Sequence, residues 1–504
     1  MPQIKVVSAT SKQVQLSWTA AAGATSYSVY RTPTTVTNSG VPGTPLGIST
    51  ASNGPAIATV NGLSYTDNIP DSNATYTYCV LPGGSGTCNN VIVGPPPFGF
   101  NVVVPSTEDT AYSVGVWERM ELDGNGDPAV AYYVTDPDNG DNDVLYFMSW
   151  NRAQYAWNQP VKIAVGGWES GEGPMSPASL TRDAASGMWG LLYNQQFPEG
   201  YAEMVLATST DGGVTWRNQS ISGDPYHGSL ESPSLALWNG SFYATFLTDA
   251  WFDGSGTLFP GNGTGFLYVT GSVAGSRTGW KSQPAPLPAG YLYSYYAGSL
   301  ALDSNHAPGI AFNVSNDTYE GIAFWRPGAS TSSLVARNDG YTTNDNPSIS
   351  LAFSGTQARI VTDAAWDYGS FDPDHEPADL WAMRAVDAAG LGWMPAVDVP
   401  PDSVNELELP WIATGSQGQT AIVMASNHDP EGQGMVCGFP KIARSNDFVT
   451  FRTCGPAPVD KPSFYPNNMT PVLRFGTNDK LWLAFNNNDD SGDIGIGLVL
   501  WREQ

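Results

Sequence analysis

Hydrophobic and polar residues alternate in short runs along almost the whole chain, and clusters of Gly, Pro, Asn and Asp separate the runs. A period of two over such short stretches predicts strands joined by turns rather than helices. Val14-Gln15-Leu16-Ser17-Trp18 and Ser26-Tyr27-Ser28-Val29-Tyr30 are the clearest strands of the amino-terminal part. From Ser113 onward one grammar recurs seven times: a small or Pro-Ser start, an alternating apolar strand, a turn, and a second apolar strand. The copies begin near Ser113, Pro177, Pro233, Gly298, Pro347, Pro410 and Pro471. Their spacing, about sixty residues, suits a four-stranded unit.

After each hairpin comes a third strand, a polar turn and a fourth strand carrying an aromatic. In the second copy, Met204 to Thr208 runs into Ser209-Thr210-Asp211-Gly212-Gly213-Val214-Thr215-Trp216. In such a turn the carboxylate accepts backbone N–H groups, glycine permits positive φ, and the Trp wedges between neighbouring sheets. Ser445-Asn446-Asp447-Phe448-Val449-Thr450-Phe451 is a degenerate copy, and weaker echoes end at Trp157, Trp280 and Trp393. The motif resembles the Asp box of sialidase-like (BNR repeat) β-propellers. That resemblance implies a structural role at the blade periphery for Ser209, Asp211, Gly213, Trp216, Ser445 and Asp447. The last segment, Asp493 to Trp501, supplies only a third strand, so Phe98 to Val104 is expected to close the final sheet. The expected fold is all-β, with a seven-bladed propeller and six blades as the alternative.

Residues 1–93 form a separate unit. Trp18, and Tyr76-Thr77-Tyr78 late in the unit, resemble a fibronectin type III module, with Tyr76 in the tyrosine-corner position. Gly94-Pro95-Pro96-Pro97 follows, and consecutive prolines favour an extended, semi-rigid spacer. The domains expected are thus a sandwich over 1–93, a linker over 94–97 and a propeller over 98–504.

Composition narrows the partners. The 55 glycines, 39 prolines and 12% aromatic residues suit many short strands. Lys plus Arg number 21 against 47 Asp plus Glu, a net charge of −26, and this disfavours nucleic acid and anionic membrane surfaces. No apolar run is long enough to span a membrane. Cys79 with Cys88, and Cys437 with Cys454, each bracket a turn; two cross-strand disulfides are expected, and with them an oxidising, extracellular or cell-surface setting. The chain opens directly into a strand, so a secretion signal is expected to have been removed.

Aligning the copies on their starting Pro or Gly puts Met175, Glu231, Tyr296, Asp345, Glu408 and Met469 around one ring at the propeller mouth. Crowded carboxylates split their pKa values, and one protonated and one ionised member is what glycoside hydrolysis uses. Glu231 and Glu408 are the expected acid and base, with Asp345 supporting; a merely solvated or cation-binding ring is the alternative. Tyr293, Tyr296, Tyr226, His227, Trp168 and Glu172 are expected to bind sugar through stacking and hydroxyl contacts.

The sialidase resemblance would require an arginine triad, an Arg-Ile-Pro motif and a Tyr–Glu nucleophile pair. No Arg-Ile-Pro occurs, and no spacing selects three from Arg119, Arg326, Arg384 and Arg474. A standard exo-sialidase is therefore not expected. No cofactor is required; calcium would suit Asp136 to Asp143, whereas Asp123 to Asp127 reads as an ordinary turn. His227, His306, His375 and His428 show no zinc spacing. Two readings stand: a secreted glycoside hydrolase acting on a neutral glycan, and a non-catalytic extracellular propeller that binds a glycan or protein.

Overall fold

The structure, a computed structural model, describes residues 1–37, 47–50, 54–105, 116–136, 142–165, 178–197, 201–222, 230–248, 251–252, 258–259, 265–276, 279–316, 320–338, 348–363, 380–399, 407–426, 441–453, 471–487 and 497–503. Every regular element in them is a strand. No helix among them is long and apolar enough to cross a membrane.

The amino-terminal unit is a two-sheet sandwich. Strands Ile4–Ala9, Gln13–Trp18 and Ser64–Asn68 form one sheet, and Gly47–Thr50, Tyr27–Thr37, Tyr76–Pro82 and Val91–Val93 the other, with Ala58–Val60 paired onto Tyr27–Thr37. Alternation does what it predicts: Val14, Leu16 and Trp18 turn inward against Tyr27, Val29, Tyr76 and Tyr78. Inside this core Asp67 accepts from Arg31 at 2.8 Å and from the Tyr78 hydroxyl at 2.6 Å. Burial pushes the Tyr78 hydroxyl far up, and the Asp67 hydrogen bond adds to it. Cys79 and Cys88 are joined in a disulfide across the hairpin end, as expected. Cys437 and Cys454 lie outside the described residues.

Seven antiparallel sheets of four or five strands follow among the described residues. Their first strands are Val116–Leu122, Ser179–Arg182, Leu230–Trp238, Leu292–Leu302, Ile349–Ser354, Leu407–Thr414 and Val472–Phe475. Each first strand packs on the next in chain order, and the seventh packs back on the first, so the sheets close into a β-propeller. The last sheet takes its outer strand from the other end of the domain. Gly99–Pro105 pairs antiparallel with Gly497–Arg502, Phe100 facing Trp501 and Val104 facing Leu498. This is the closure expected from the short final copy, and it pairs Gly497–Arg502 on both sides, with Gly99–Pro105 as the outer strand.

Between sheets the core is apolar. Leu192, Leu206, Leu237, Phe242 and Phe246 fill the space between the second and third, for example. Four inner serines tie neighbours together: the hydroxyls of Ser179, Ser234, Ser299 and Ser350 accept the amides of Leu235, Leu300, Leu351 and Ile412 at 2.9 to 3.1 Å.

The Ser209–Trp216 turn is built as its sequence predicts. Asp211 Oδ1 accepts the amides of Val214 and Thr215, and Oδ2 accepts the Thr215 hydroxyl at 2.6 Å. These bonds, led by the Thr215 hydroxyl, hold the Asp211 carboxyl down at about 2. Trp216 stands edge-on to Phe147 of the preceding sheet, with ring centroids 5.0 Å apart. Asp447 repeats the cradle for Val449 and Thr450, and Trp393 repeats the wedge against Phe324 at 5.3 Å.

The Gly94–Pro97 stretch is hydrogen-bonded to the strands around it. Trp150 Nε1 donates to the Gly94 carbonyl at 2.9 Å, and Arg502 Nη1 donates to the Pro96 carbonyl at 2.9 Å. Arg502 also reaches Asn73 of the sandwich, and Arg152 donates to the Ser72 carbonyl at 2.8 Å.

Candidate functional site

Each first strand runs from one face of the disc toward the tight hairpin that joins it to the second strand. In the third sheet Glu231 pairs with Leu247, but the next pair along is Ser234 with Thr245, so the first strand carries one extra residue. In the sixth sheet Glu408 pairs with Ala425, and the next pair is Trp411 with Val423. The two glutamates therefore hold the same position, immediately before the same bulge, at the same end of the disc. Bulges of this kind re-aim side chains and gather at functional rims. The first sheet has the same slip between Val116 and Arg119, and the fourth has a wider one between Tyr293 and Gly298.

Tyr293 thus lies on the first strand, paired with Val314, and Tyr296 falls within the slipped stretch. Asp345, Tyr226, His227, Trp168 and Glu172 lie outside the described residues, as do Met175 and Met469. The serine ladder gives a firmer alignment than the starting proline. Ser350 takes the place of Ser234, and Glu231 stands three residues before Ser234 whereas Asp345 stands five before Ser350. Proline alignment overlooks this difference because Pro347 precedes its serine by three positions and Pro233 precedes its own by one.

The positions equivalent to the ladder serines in the other three sheets are Arg119, Trp411 and Val472. The Arg119 guanidinium lies 5.0 Å from the Trp411 ring centroid, and that of Arg474 also lies 5.0 Å away. Arg474 in turn donates to Glu121 at 3.1 Å. These side chains come from the sixth, seventh and first sheets and meet there. Reading arginine spacing along the chain missed this cluster; Arg326 and Arg384 bind elsewhere, to Asp303 and to the Asp447 carbonyl.

At the hairpin end, Asp123 Oδ1 accepts the amides of Asn125 and Asp127, and Asp127 is bound by Arg152, so this loop is a self-satisfied turn. No group of three or more His, Cys, Asp or Glu among the described residues is arranged to hold a metal ion. His306, in another hairpin turn, stacks on Trp238 at 3.4 Å between centroids. The sandwich docks at this end, where Ser11 N donates to Asn125 Oδ1. It lies away from the glutamates.

No protein-family model matches the chain, and no curated protein matches it. Solved structures that resemble it include an α-L-arabinanase from Penicillium chrysogenum complexed with arabinobiose, at 12% identity over 81% of this chain and 98% of that one, TM-score 0.47. An α-L-arabinofuranosidase from Fusarium graminearum shows 10% identity over 80% and 98%, TM-score 0.45. A NanB sialidase variant from Streptococcus pneumoniae shows 8% identity over 99% and 96%, TM-score 0.41. Likeness at this level assigns no residue a role.

Proposed function

We propose that the chain is an extracellular carbohydrate-active protein whose mouth face hydrolyses a neutral glycan. Glu231 and Glu408 act as general acid and base with Asp345 in support, and Tyr293, Tyr296, Tyr226, His227, Trp168 and Glu172 hold the sugar. The seven sheets are read as seven Asp-box blades, and the sandwich as a fibronectin type III-like module. No cofactor is needed, and calcium is a structural option for the Asp136 to Asp143 loop.

The observation that carries this reading is the shared register of Glu231 and Glu408 before matching bulges. They sit three sheets apart in the ring, across the axis rather than side by side. That arrangement suits the wider carboxylate spacing of an inverting hydrolase, about 6.5–9.5 Å, with room for water beside the anomeric carbon. The alternative, recognition reading is a non-catalytic extracellular propeller that binds a glycan or protein at this face.

The test is a panel of neutral oligosaccharides, with arabino-oligosaccharides and sialosides included, assayed for binding and for release of reducing ends. Glu231→Gln and Glu408→Gln should each lower release by about 10²–10⁴-fold while binding persists. Release that survives both substitutions overturns the site. Binding without release in the unmodified protein selects the recognition reading.

A further inference from the structure

We infer that the amino-terminal sandwich is a clasp for the propeller, holding together the two strands whose pairing closes the ring. This role is independent of the proposed glycan site and adds to it.

The chain itself leads from each sheet to the next, but the two ends of the propeller meet inside the seventh sheet. There Gly99–Pro105 and Gly497–Arg502 are joined by strand pairing, not by chain continuity. Terminal strands are where local opening starts, so this pair is the place at which the disc would come apart.

Both partners are fastened to the sandwich. Gly99–Pro105 follows Val91–Val93 of the sandwich through Gly94 and three prolines, all buried, whose fixed φ restricts how the strand enters its sheet. Gly94 lies so close to the sandwich that a Cβ on it would stand 2.8 Å from the Thr75 Cα. Its carbonyl accepts Trp150 Nε1, and its amide donates to the Arg152 carbonyl at 3.3 Å, which pins the same residue to the first sheet.

The other strand is held through Arg502, which faces Gly99 in the register. Its guanidinium lies 4.3 Å from the Phe98 ring centroid and 5.0 Å from that of Trp482. Nη1 donates to the Pro96 carbonyl, and Nη2 reaches the main-chain and side-chain oxygens of Asn73 at 3.2 and 3.3 Å. Arg502 is only 3% exposed, and a buried guanidinium needs acceptors; the linker and the sandwich provide them.

Two adjacent sandwich residues therefore serve the two sides of the closure, Asn73 binding the seventh sheet through Arg502 and Ser72 binding the first through Arg152. Holding both ends on one unit raises the effective concentration of each closing strand for the other. The serine clips stop short of this boundary. They span the second to the sixth sheets, and at the equivalent position the seventh sheet has Val472, whose side chain can neither donate nor accept.

The experiment is hydrogen exchange of the full chain, read by mass spectrometry for Gly99–Pro105 and Gly497–Arg502 against Leu230–Trp238 and Ser241–Thr248. Gly94→Ala drives a Cβ into Thr75. Asn73→Ala with Asn125→Ala removes two uncharged side-chain acceptors across the seam, those used by Arg502 and by the Ser11 amide. In either protein, exchange of the closing pair is expected to quicken by about tenfold while the third sheet keeps its rate. If Gly94→Ala does not fold, the double variant decides alone. Closing-pair rates that stay unchanged in the folded variants overturn the clasp. Rates that rise equally in the third sheet also overturn it, because the sandwich then contributes only general stability.

Discussion

Arg152 grips the Asp127 carboxylate through two hydrogen bonds of 2.7 Å, and the side chains are only 4% and 2% exposed. The same guanidinium donates to the Ser72 carbonyl of the sandwich, so one ion pair holds a propeller turn and the seam between the two units. Buried pairs of this kind add little net stability over a hydrophobic replacement, but breaking one side strands the other charge.

Arg152→Met is therefore expected to destabilise by about 3–5 kcal/mol, because it leaves the Asp127 carboxyl buried without its partner. The double variant Arg152→Met, Asp127→Asn should recover much of that loss. Thermal unfolding of the two variants checks this; equal melting temperatures would show that the unpartnered carboxyl is not the source of the damage.

Gly212 and Gly213 are adjacent, and both have positive φ, +80° and +90°, yet their substitutions should differ. A Cβ on Gly212 meets nothing within 4 Å, whereas one on Gly213 would stand 2.1 Å from Phe147. Gly212→Ala should cost about 1–2 kcal/mol of backbone strain. Gly213→Ala adds overpacking against the aromatic wedge and should cost about 2–5 kcal/mol. Denaturant midpoints for the pair measure the difference.

The serine ladder makes a quantitative claim of its own. Ser234→Ala leaves the Leu300 amide without its 2.9 Å acceptor between two sheets, and about 1–3 kcal/mol should be lost. Because Ser234 is one of four equivalent clips, Ser179→Ala and Ser299→Ala should cost similar amounts. Widely unequal shifts in melting temperature would argue that the clips differ in burial or relaxation.

Much of the fold was legible in the residues. The Ser209 to Trp216 turn announces its hydrogen bonds because Asp, Gly and Trp each have one physical job there, and the missing fourth strand of the last copy points to Gly99–Pro105. What was hidden is non-local. Arg152 and Arg502 bind Ser72 and Asn73 from far along the chain, so no period or spacing betrays the seam. Trp411 was hidden by alignment on proline, since the serine that it replaces becomes visible only once Ser179, Ser234, Ser299 and Ser350 are seen to share one hydrogen-bonding role. Glu231 and Glu408 were singled out from sequence because both precede a Pro by two residues, and the register shows that each backbone position also precedes a matching bulge.

Acid should act on two sets of carboxylates with opposite signs. Burial raises the Asp127 carboxyl to about 6, against lowering by Arg152, so the folded protein takes up that proton more readily than the unfolded chain. Its contribution to stability is fully present below the ordinary value near 3.8 and is lost as pH rises through about 6. Asp211 and Asp447 behave the other way. Held at about 2 mainly by the Thr215 hydroxyl and the Thr450 amide respectively, they contribute above 3.8, and that contribution disappears as pH falls toward 2. Melting temperature should therefore rise as pH is lowered from 7 toward 5 and fall again below about 4. In Asp127→Asn the rise between pH 7 and 5 should shrink while the acid limb stays, and an unaltered rise would move its origin to other groups.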